Sequence, residues 1–381
     1  MKVILTASLC ASILAHATLA HAEANGAKAP TLKETLETAG LFISGFIDTS
    51  YTYLSGAGVF TSGIPNRVFD REHNSFNLNL VDITAAYQPE EGFGGLVQLD
   101  AGSDANIFAA VGTGTDDEFD VQEAFVQYAY GAFTAVGGKF VTLAGAEVIE
   151  SPVNLNFSRS ILFGYAIPFT HTGVRAQLKT TGGAMFTVGV NNGWDVFRES
   201  ASTVVDANGN TIDTADGKTV ELGASLAPYD FLSIAASAYT GDEPGLTEVG
   251  RRDLIDVVVT YTATDALSFV FNGDVAQQED AIAAGTDADW HGVADYANYQ
   301  FTDQWRAALR GEWFDDEDGF RTGVAQEWKE ITATLAYAPI DAVEIRAEAR
   351  QDWSDVDSFV DTDGSIDDNQ YSFALEGIFK Y

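Results

Sequence analysis

The side chains best suited to chemistry in this chain are charged residues that alternate with apolar ones. Residues 343–350 read VEIRAEAR and residues 171–179 read HTGVRAQLK. An alternation with a period of two predicts β-strands that are wetted on one face. Charges of both signs along these faces would create a local electric field, which orders water and favours small polar solutes.

Residue patterns that support catalysis do not occur in the sequence. Beyond residue 22 the histidines are His73, His171 and His291, and His171 falls on the polar face of its predicted strand. There is no glycine-rich phosphate loop, no histidine and cysteine set with metal-ligand spacing, and no G-x-S-x-G motif. We therefore interpret His171 as a polar wall residue and expect the protein not to be an enzyme.

Two acidic segments, 206–210 and 361–368, resemble parts of calcium-binding loops. If Gly364 takes the sixth place of such a loop, the first and twelfth places fall on Phe359 and Gln370. An EF-hand needs a leading Asp and a bidentate Glu at these places, so no cofactor is expected. Loosely bound Ca²⁺ at acidic outer loops, where it would bridge lipopolysaccharide, remains an open alternative.

The charge balance limits the classes of partner. The chain has 20 Lys and Arg against 56 Asp and Glu, a net charge of −36. Nucleic acid is excluded, because its phosphates would be repelled. Disorder is also excluded, since 46% of the residues are hydrophobic and 12% are aromatic.

The N-terminus has the features of a secretory signal. Residues 1–22 begin with Lys2, continue with an apolar stretch and end in Ala20-His21-Ala22, so cleavage is predicted after Ala22. After residue 22 the sequence has no run of 18 apolar residues, so no transmembrane helix is predicted. In the following segment, residues 23–40, Thr31 and Glu34 have capping-box spacing, which predicts a short helix on the periplasmic side.

From residue 41 onward, segments of strand length are joined alternately by short turns and long loops. The predicted strands begin near residues 41, 74, 93, 119, 132, 171, 183, 218, 230, 252, 265, 289, 303, 327, 341 and 369. The long loops lie near 55–73, 104–118, 141–170, 192–217, 241–251, 276–288, 315–326 and 354–368. Membrane barrels have short periplasmic turns and long extracellular loops. The sequence thus predicts an all-β fold, a transmembrane up-and-down antiparallel β-barrel of sixteen strands, give or take two, over residues 41–381.

Aromatic residues support this topology, because they fall at the predicted strand ends. A periplasmic girdle would contain Tyr87, Tyr128, Tyr130, Tyr261, Tyr337, Phe379 and Tyr381. A soluble β-sandwich could share the alternation, but it would not place aromatic residues by depth. Residues 76–88 fit this pattern less well, because their apolar residues change from one face of the strand to the other after Leu80. A β-bulge there would keep Asp82 away from lipid.

The loop over residues 141–170 differs from the others. It has only two acids, Glu147 and Glu150, and is otherwise rich in apolar and small residues. We expect it to fold inward against the barrel wall and to narrow the pore. The residues predicted to line the pore or its constriction are Glu147, Glu150, Arg159, Arg175, Lys179, Arg306, Arg310, Arg346 and Arg350. If both glutamates face the basic wall residues, a transverse field crosses the constriction; otherwise, these charges pair along a wetted wall.

The same region resembles a known family. Residues 138–140 (GKF), 145–150 (GAEVIE), 157–160 (FSRS) and 163–175 (FGYAIPFTHTGVR) are similar to the OmpL-like β-barrel porins of Gram-negative outer membranes. The resemblance covers about forty residues and implies an outer-membrane porin. It implies no substrate and no individual functional residue.

These observations predict a porin in the bacterial outer membrane, a water-filled channel for passive diffusion of small hydrophilic solutes. The acidic outer loops predict a weak cation preference. The expected partners are outer-membrane lipid, lipopolysaccharide and small polar solutes, and porins of this size are usually homotrimers. The alternative is a structural or adhesive barrel with a plugged lumen.

Overall fold

The computed structural model describes residues 32–55, 67–111, 118–198, 203–205, 211–214, 217–360 and 365–381. Sixteen antiparallel strands close into one barrel, in which each strand pairs with its sequence neighbours and the last pairs with the first. This confirms the predicted fold class and strand count. Every strand begins within three residues of its predicted start. The predicted signal segment lies outside the described residues.

The barrel strands, numbered in chain order, are β1 Phe42–Leu54, β2 Ser75–Tyr87, β3 Gly92–Ala101, β4 Phe119–Tyr130, β5 Phe133–Val141, β6 Thr170–Lys179, β7 Met185–Asn191, β8 Thr219–Tyr229, β9 Leu232–Pro244, β10 Val249–Thr262, β11 Leu267–Ala283, β12 Thr286–Gln300, β13 Trp305–Asp316, β14 Gln326–Ile340, β15 Val343–Ser354 and β16 Asn369–Lys380. Two short ribbons outside the barrel pair Thr203–Val205 with Thr211–Thr214, and Phe359–Val360 with Ile366–Asp367. The helical segments are α1 Leu32–Thr38, α2 Ala105–Phe108, a 3-10 turn Ser151–Val153 and a π-helical segment Leu162–Ala166. None of the described helices is long and apolar enough to span a membrane.

The strand pattern separates an apolar outer face from a polar inner face. In β14, Ile331 and Leu335 are exposed on the outside, whereas Glu330, Thr332 and Thr334 are buried on the inside. The other long strands repeat this arrangement, as expected for a wall with lipid on one side and a lumen on the other. The charged residues that alternate with apolar residues along these strands therefore lie inside the barrel.

The connections at the two ends of the barrel differ in length, with one correction to the prediction. One end has turns at 88–91, 131–132, 180–184, 230–231, 263–266, 301–304 and 341–342. At the other end, the expected long loops near 241–251 and 276–288 are mostly strand, and β11 and β12 join through residues 284–285. Their outer face is polar and exposed, as at Gln277, which suits strands that extend beyond the bilayer, while Ala281 and Ala288 are buried on the inner face. Gly285, with a φ of +74°, permits the tight turn.

The irregularity predicted in β2 lies one residue earlier than expected. Asp48 of β1 pairs with Leu80, and Thr49 pairs with Leu78, so Asn79 is the extra residue of a bulge. The bulge returns Asp82 to the inner face, where its side chain is buried.

The short-turn end has the predicted aromatic girdle, including an exposed Tyr87 and Tyr261 and a stacked Trp305–Tyr337 pair with ring centroids 4.5 Å apart. Helix α1 lies at this end as well. The chain turns at Gly40, whose φ is +76°, and a Cβ added there would be 3.2 Å from the Tyr87 ring. The N-terminal segment therefore reaches the barrel at the girdle.

The hydrophobic core lies inside the barrel, under the segment 142–169, which we call the inner loop. Phe69, Phe163 and Phe169 form a triangle of rings with centroids 5.1 to 5.8 Å apart. Leu162 and Trp290 are completely buried beside them. Apolar side chains in a loop bury surface wherever they can, and here the inner wall is that surface.

Candidate pore constriction

The inner loop crosses the lumen and bonds to several walls. The Tyr239 hydroxyl of β9 accepts a hydrogen bond from Leu143 N at 2.8 Å, and Asn272 of β11 accepts one from Ala146 N at 2.9 Å. Ser151 donates to Glu376 of β16. These anchors come from opposite parts of the barrel, so the loop is fixed across the lumen rather than along one wall.

Arg310 of β13 is the central anchor of the loop. Its guanidinium lies 2.8 Å from Glu147 of the loop, 3.0 Å from Glu312 and 2.8 Å from Glu330. It also donates to the carbonyl oxygen of Ser158 at 2.6 Å. Arg310 is fully buried, so its charge is stable only because these carboxylates and carbonyl groups surround it.

Arg346 and Arg350 of β15 anchor the neighbouring part of the loop. Arg346 pairs with Glu344 at 2.6 Å and with Glu376 at 3.1 Å. Arg350 pairs with Asp352 at 2.6 Å and donates to the carbonyl oxygen of Arg159 at 2.8 Å.

Glu348 of the same strand fixes the loop backbone. Its two carboxylate oxygens accept hydrogen bonds from the Phe157 and Ser158 amides at 2.7 and 2.9 Å. Carboxylates that accept backbone N–H groups form strong charge-assisted bonds, which hold the loop in register with the wall.

Four other residues of the predicted site have different positions. Arg159 folds back on its own loop and donates to the Phe157 carbonyl oxygen at 2.8 Å. Arg306 is partly exposed and joins the Leu155 carbonyl oxygen to Glu344. Arg175 is buried against Glu221 at 2.6 Å, and Lys179 is exposed at the short-turn end of β6. The structure therefore does not bring Arg175 and Lys179 into the arginine cluster of β13 and β15.

The two loop glutamates point in opposite directions. Glu147 contacts Arg310, whereas the Oε1 atom of Glu150 accepts hydrogen bonds from Gln98 and Gln122 at 3.0 and 2.6 Å. Glu150 is only partly buried. Glu147 therefore serves as an anchor, and Glu150 adds negative charge to the wall of β3 and β4.

The sequence interpretation did not predict that inward-facing aspartates form two pairs. Asp82 lies directly opposite Asp100 across β2 and β3, and Asp256 lies opposite Asp274 across β10 and β11. All four are nearly completely buried. No ion pair among the described residues includes them. The alternation along each strand indicates which face each aspartate occupies. The pairing, however, depends on a strand register that the sequence does not specify.

Comparisons with known proteins agree with this geometry. The family model described as "Putative beta-barrel porin-2, OmpL-like" matches residues 40–381, which include the whole barrel. The chain belongs to this porin family. The porin is therefore an outer-membrane channel protein of bacteria. No curated protein matches it in sequence.

Solved structures share the fold of the porin at low sequence identity. The anion-selective porin from Comamonas acidovorans has a TM-score of 0.61 and 10% identity over 90% of this chain and 99% of that chain. The outer membrane channel DcaP of Acinetobacter baumannii has a TM-score of 0.59 and 13% identity over 90% and 97%. OmpT of Vibrio cholerae in its trimer form has a TM-score of 0.60 and 11% identity over 90% and 99%.

The outer mouth of the porin contains a cluster of aromatic and cationic side chains. Arg252 of β10 lies over Trp194 at 4.7 Å, and Arg321 lies over Trp290 at 5.2 Å. Phe320 contacts Trp290 with ring centroids 6.0 Å apart. Cation–π contacts between buried groups are stronger than exposed ones. The cluster joins the segment 192–198 to the loop 317–325 above the inner loop.

Asp104, which precedes α2 and lies outside the strands, gives a pH-dependent prediction. Burial raises its pKa from 3.8 to about 7, and Arg159 opposes this only in part. The folded porin therefore binds an extra proton between about pH 4 and pH 7, so stability falls as the pH rises through this window. We expect Asp104→Asn to raise the unfolding temperature by a few degrees at pH 8 and hardly at pH 4, as measured by circular dichroism in detergent. An equal gain at both pH values would contradict this explanation.

Proposed function

We propose that this porin lets small hydrophilic solutes diffuse passively across the outer membrane, prefers cations, and catalyses no reaction. The observation that supports the cation preference is the unequal pairing of charges in the lumen. The arginines of the constriction are each engaged by carboxylates or carbonyl oxygens. Asp82, Asp100, Asp256 and Asp274, by contrast, have no cationic partner in the described part of the chain.

The arginine cluster contributes little positive potential to the pore. Arg310, Arg346 and Arg350 each contact two or more carboxylates. A cation surrounded by anions attracts few further anions, because the opposing fields cancel beyond a few ångströms. This pairing supports the alternative that the wall charges neutralise one another, and we propose that the remaining field comes from other residues.

The uncompensated charge is negative. Asp82 and Asp100 lie on one side of the inner loop, near Glu150, and Asp256 and Asp274 lie on another side. Narrow clefts with one sign of charge concentrate counter-ions. The acidic outer loops, part of a net charge of −36, add the same sign at the mouth. Cations should therefore enter and cross more readily than anions.

A second function, a structural barrel with a plugged lumen, has one observation in its favour. Inward side chains at the level of the inner loop, such as Trp328, Thr332 and Phe314, are almost completely buried. Under the porin proposal this dense packing predicts channels of small conductance. Recordings in planar bilayers separate the two functions, because a plugged barrel would insert and fold without giving conductance steps.

We further propose that three porin chains associate through the wall formed by β5 to β7. Strands β5 and β7 have nine and seven residues, whereas β10 to β16 have 12 to 17. A strand needs roughly 9–11 residues to cross a bilayer, so β7 falls below this range and β5 only reaches its lower limit. This wall is therefore the lowest part of the barrel and gains most from a cover of protein. An outer-face depression of about 530 Å³, lined in part by Gly137, Ala176 and Val188, could receive side chains of a second copy.

Ala176→Phe tests this arrangement. The added ring fills the depression in the β6 wall, so we expect loss of the trimer with the barrel fold retained. The matched control is Ala347→Phe, which fills a depression of about 630 Å³ on the high wall that faces lipid. Unheated gel electrophoresis and native mass spectrometry report the oligomer. Monomers from Ala347→Phe and trimers from Ala176→Phe would place the contact on the other wall.

A further inference from the structure

The wall beside the constriction contains a group of oxygen atoms without hydrogen-bond donors. Asp82 and Asp100 face each other directly across β2 and β3, and both point inward. Side chains at opposed positions have Cβ atoms about 4.5–5.5 Å apart, so two carboxylates there repel each other unless something positive lies between them.

Three oxygen atoms in this group lack a donor. Within the described part of the chain, neither carboxylate oxygen of Asp100 accepts a hydrogen bond, and neither does Oε1 of Gln122. Both side chains are completely buried. An unsatisfied buried acceptor is unfavourable, which indicates that the site is completed by a species that the protein itself does not supply.

The inner loop brings a third carboxylate, Glu150, to the edge of this group. In the described part of the chain its oxygen atoms do not lie within 4.8 Å of both aspartates, so it would reach a shared cation through water. Gln98 and Gln122 both donate their side-chain amides to Glu150, at 3.0 and 2.6 Å. The NH₂ group of Gln122 therefore holds the loop, and its Oε1 atom is left without a donor. Glu150 is partly exposed, so the group is next to the solvent-filled part of the lumen.

Local cations are already engaged elsewhere. Lys139 lies 2.7 Å from Asp120 and 2.7 Å from the carbonyl oxygen of Val121. Glu123 accepts a hydrogen bond from the Val141 amide. A proton shared between Asp82 and Asp100 would reduce their repulsion, but it would serve only one oxygen of Asp100 and would leave Gln122 without a donor.

We infer that Asp82, Asp100 and Gln122, together with Glu150, bind a partly hydrated divalent cation of the Ca²⁺ or Mg²⁺ type. A set of carboxylate and amide oxygens suits these hard cations. This inference rests on the proposed cation preference and adds a binding station to it. A divalent ion held beside the inner loop would slow monovalent cations that pass the same point. Binding of the divalent ion is therefore measurable as block, a decrease in K⁺ conductance.

The second aspartate pair provides a matched control. Asp256 and Asp274 are also opposed and buried, and both carboxylate oxygens of Asp274 lack donors among the described residues. There, however, the inner loop offers the Ala146 amide to Asn272 rather than a carboxylate. Asp274→Asn removes the same charge as Asp100→Asn but should leave the station intact.

The test uses the full-length porin in planar bilayers, with K⁺ conductance measured as CaCl₂ or MgCl₂ is added. We expect half-maximal block of the wild type at about 0.1–1 mM Ca²⁺, the range of flexible extracellular sites. Asp100→Asn should need at least about tenfold more Ca²⁺, a loss equal to one decade of affinity. Asp274→Asn should weaken the cation preference as Asp100→Asn does, but it should keep the wild-type Ca²⁺ concentration for half-maximal block. Asp82→Asn, expected to behave like Asp100→Asn, replaces it if that variant does not fold.

The outcomes are distinguishable from those of the proposed function. The divalent station is overturned if the wild type shows no block. It is also overturned if Asp274→Asn weakens the block and Asp100→Asn does not. The reversal potential of the same channels in a KCl gradient tests the cation preference separately. Cation-selective channels without block would overturn the station alone, and anion-selective channels would overturn the preference from which it was inferred.

Discussion

Arg310→Met is expected to release the inner loop from β13 and to raise single-channel conductance several-fold. Methionine keeps much of the side-chain length but leaves Glu147, Glu312 and Glu330 without their common cation. Removal of one partner from a buried charge network costs about 3–5 kcal/mol. The loop then loses its most connected anchor, and the mutual repulsion of the three carboxylates moves it away from the wall.

The measurements for this variant are single-channel recording and thermal unfolding in detergent. Arg251→Met is the control, since Arg251 is half-exposed on the outer face and pairs only with the exposed Asp253 and Glu279. Exposed ion pairs contribute about 0–1 kcal/mol, so this control should behave like the wild type. A stable Arg310→Met barrel with unchanged conductance would show that the inner loop does not control the pore.

Trp290→Ala is the second change with a large expected effect, because it opens the outer mouth. Trp290 is fully buried and donates its indole N–H to the Ala166 carbonyl oxygen at 3.1 Å. It also contacts Trp194, Phe320 and Arg321. Truncation of a buried tryptophan to alanine costs about 3–5 kcal/mol and leaves a cavity. The segment 192–198 and the loop 317–325 would lose their shared packing surface.

We expect this variant to unfold at a lower temperature and to show noisier channels, since the mouth loops would move in and out of the current path. Trp353→Ala is the control. Trp353 lies partly exposed on the outer face of β15, so its loss removes little packing. Quiet, unaltered channels in Trp290→Ala would mean that the mouth cluster only stabilises the fold.

The barrel itself could be predicted from the sequence because its signals are local. The alternation in residues 343–350 and the aromatic residues at strand ends depend only on which face of each strand meets lipid. The error near 276–288 has a local cause too. Polar residues without clear alternation indicate a loop, yet β11 and β12 continue there as a paired ribbon whose buried inner face consists largely of small residues such as Ala276, Ala281 and Ala288. The helix Leu32–Thr38, by contrast, begins next to its predicted capping residue.

The constriction could be predicted only in outline. The unusual composition of residues 141–170 indicated an inward fold, but the partners of the loop are distant in sequence. Glu147 and Arg310 are separated by 163 positions, and Asn156 and Thr334 by 178. Such pairs depend on strand register and on the loop path together. For the same reason, the sequence could not show that the arginines are neutralised while Asp82 and Asp100 are not.

The most direct test of the proposed function is the reversal potential of wild-type channels in a tenfold KCl gradient across a planar bilayer. The dense packing at the inner loop predicts discrete steps of small conductance. The uncompensated aspartates predict a reversal potential of the sign produced by K⁺ flow. A barrel that inserts without conductance, or a potential of the sign produced by Cl⁻ flow, would contradict the proposed function.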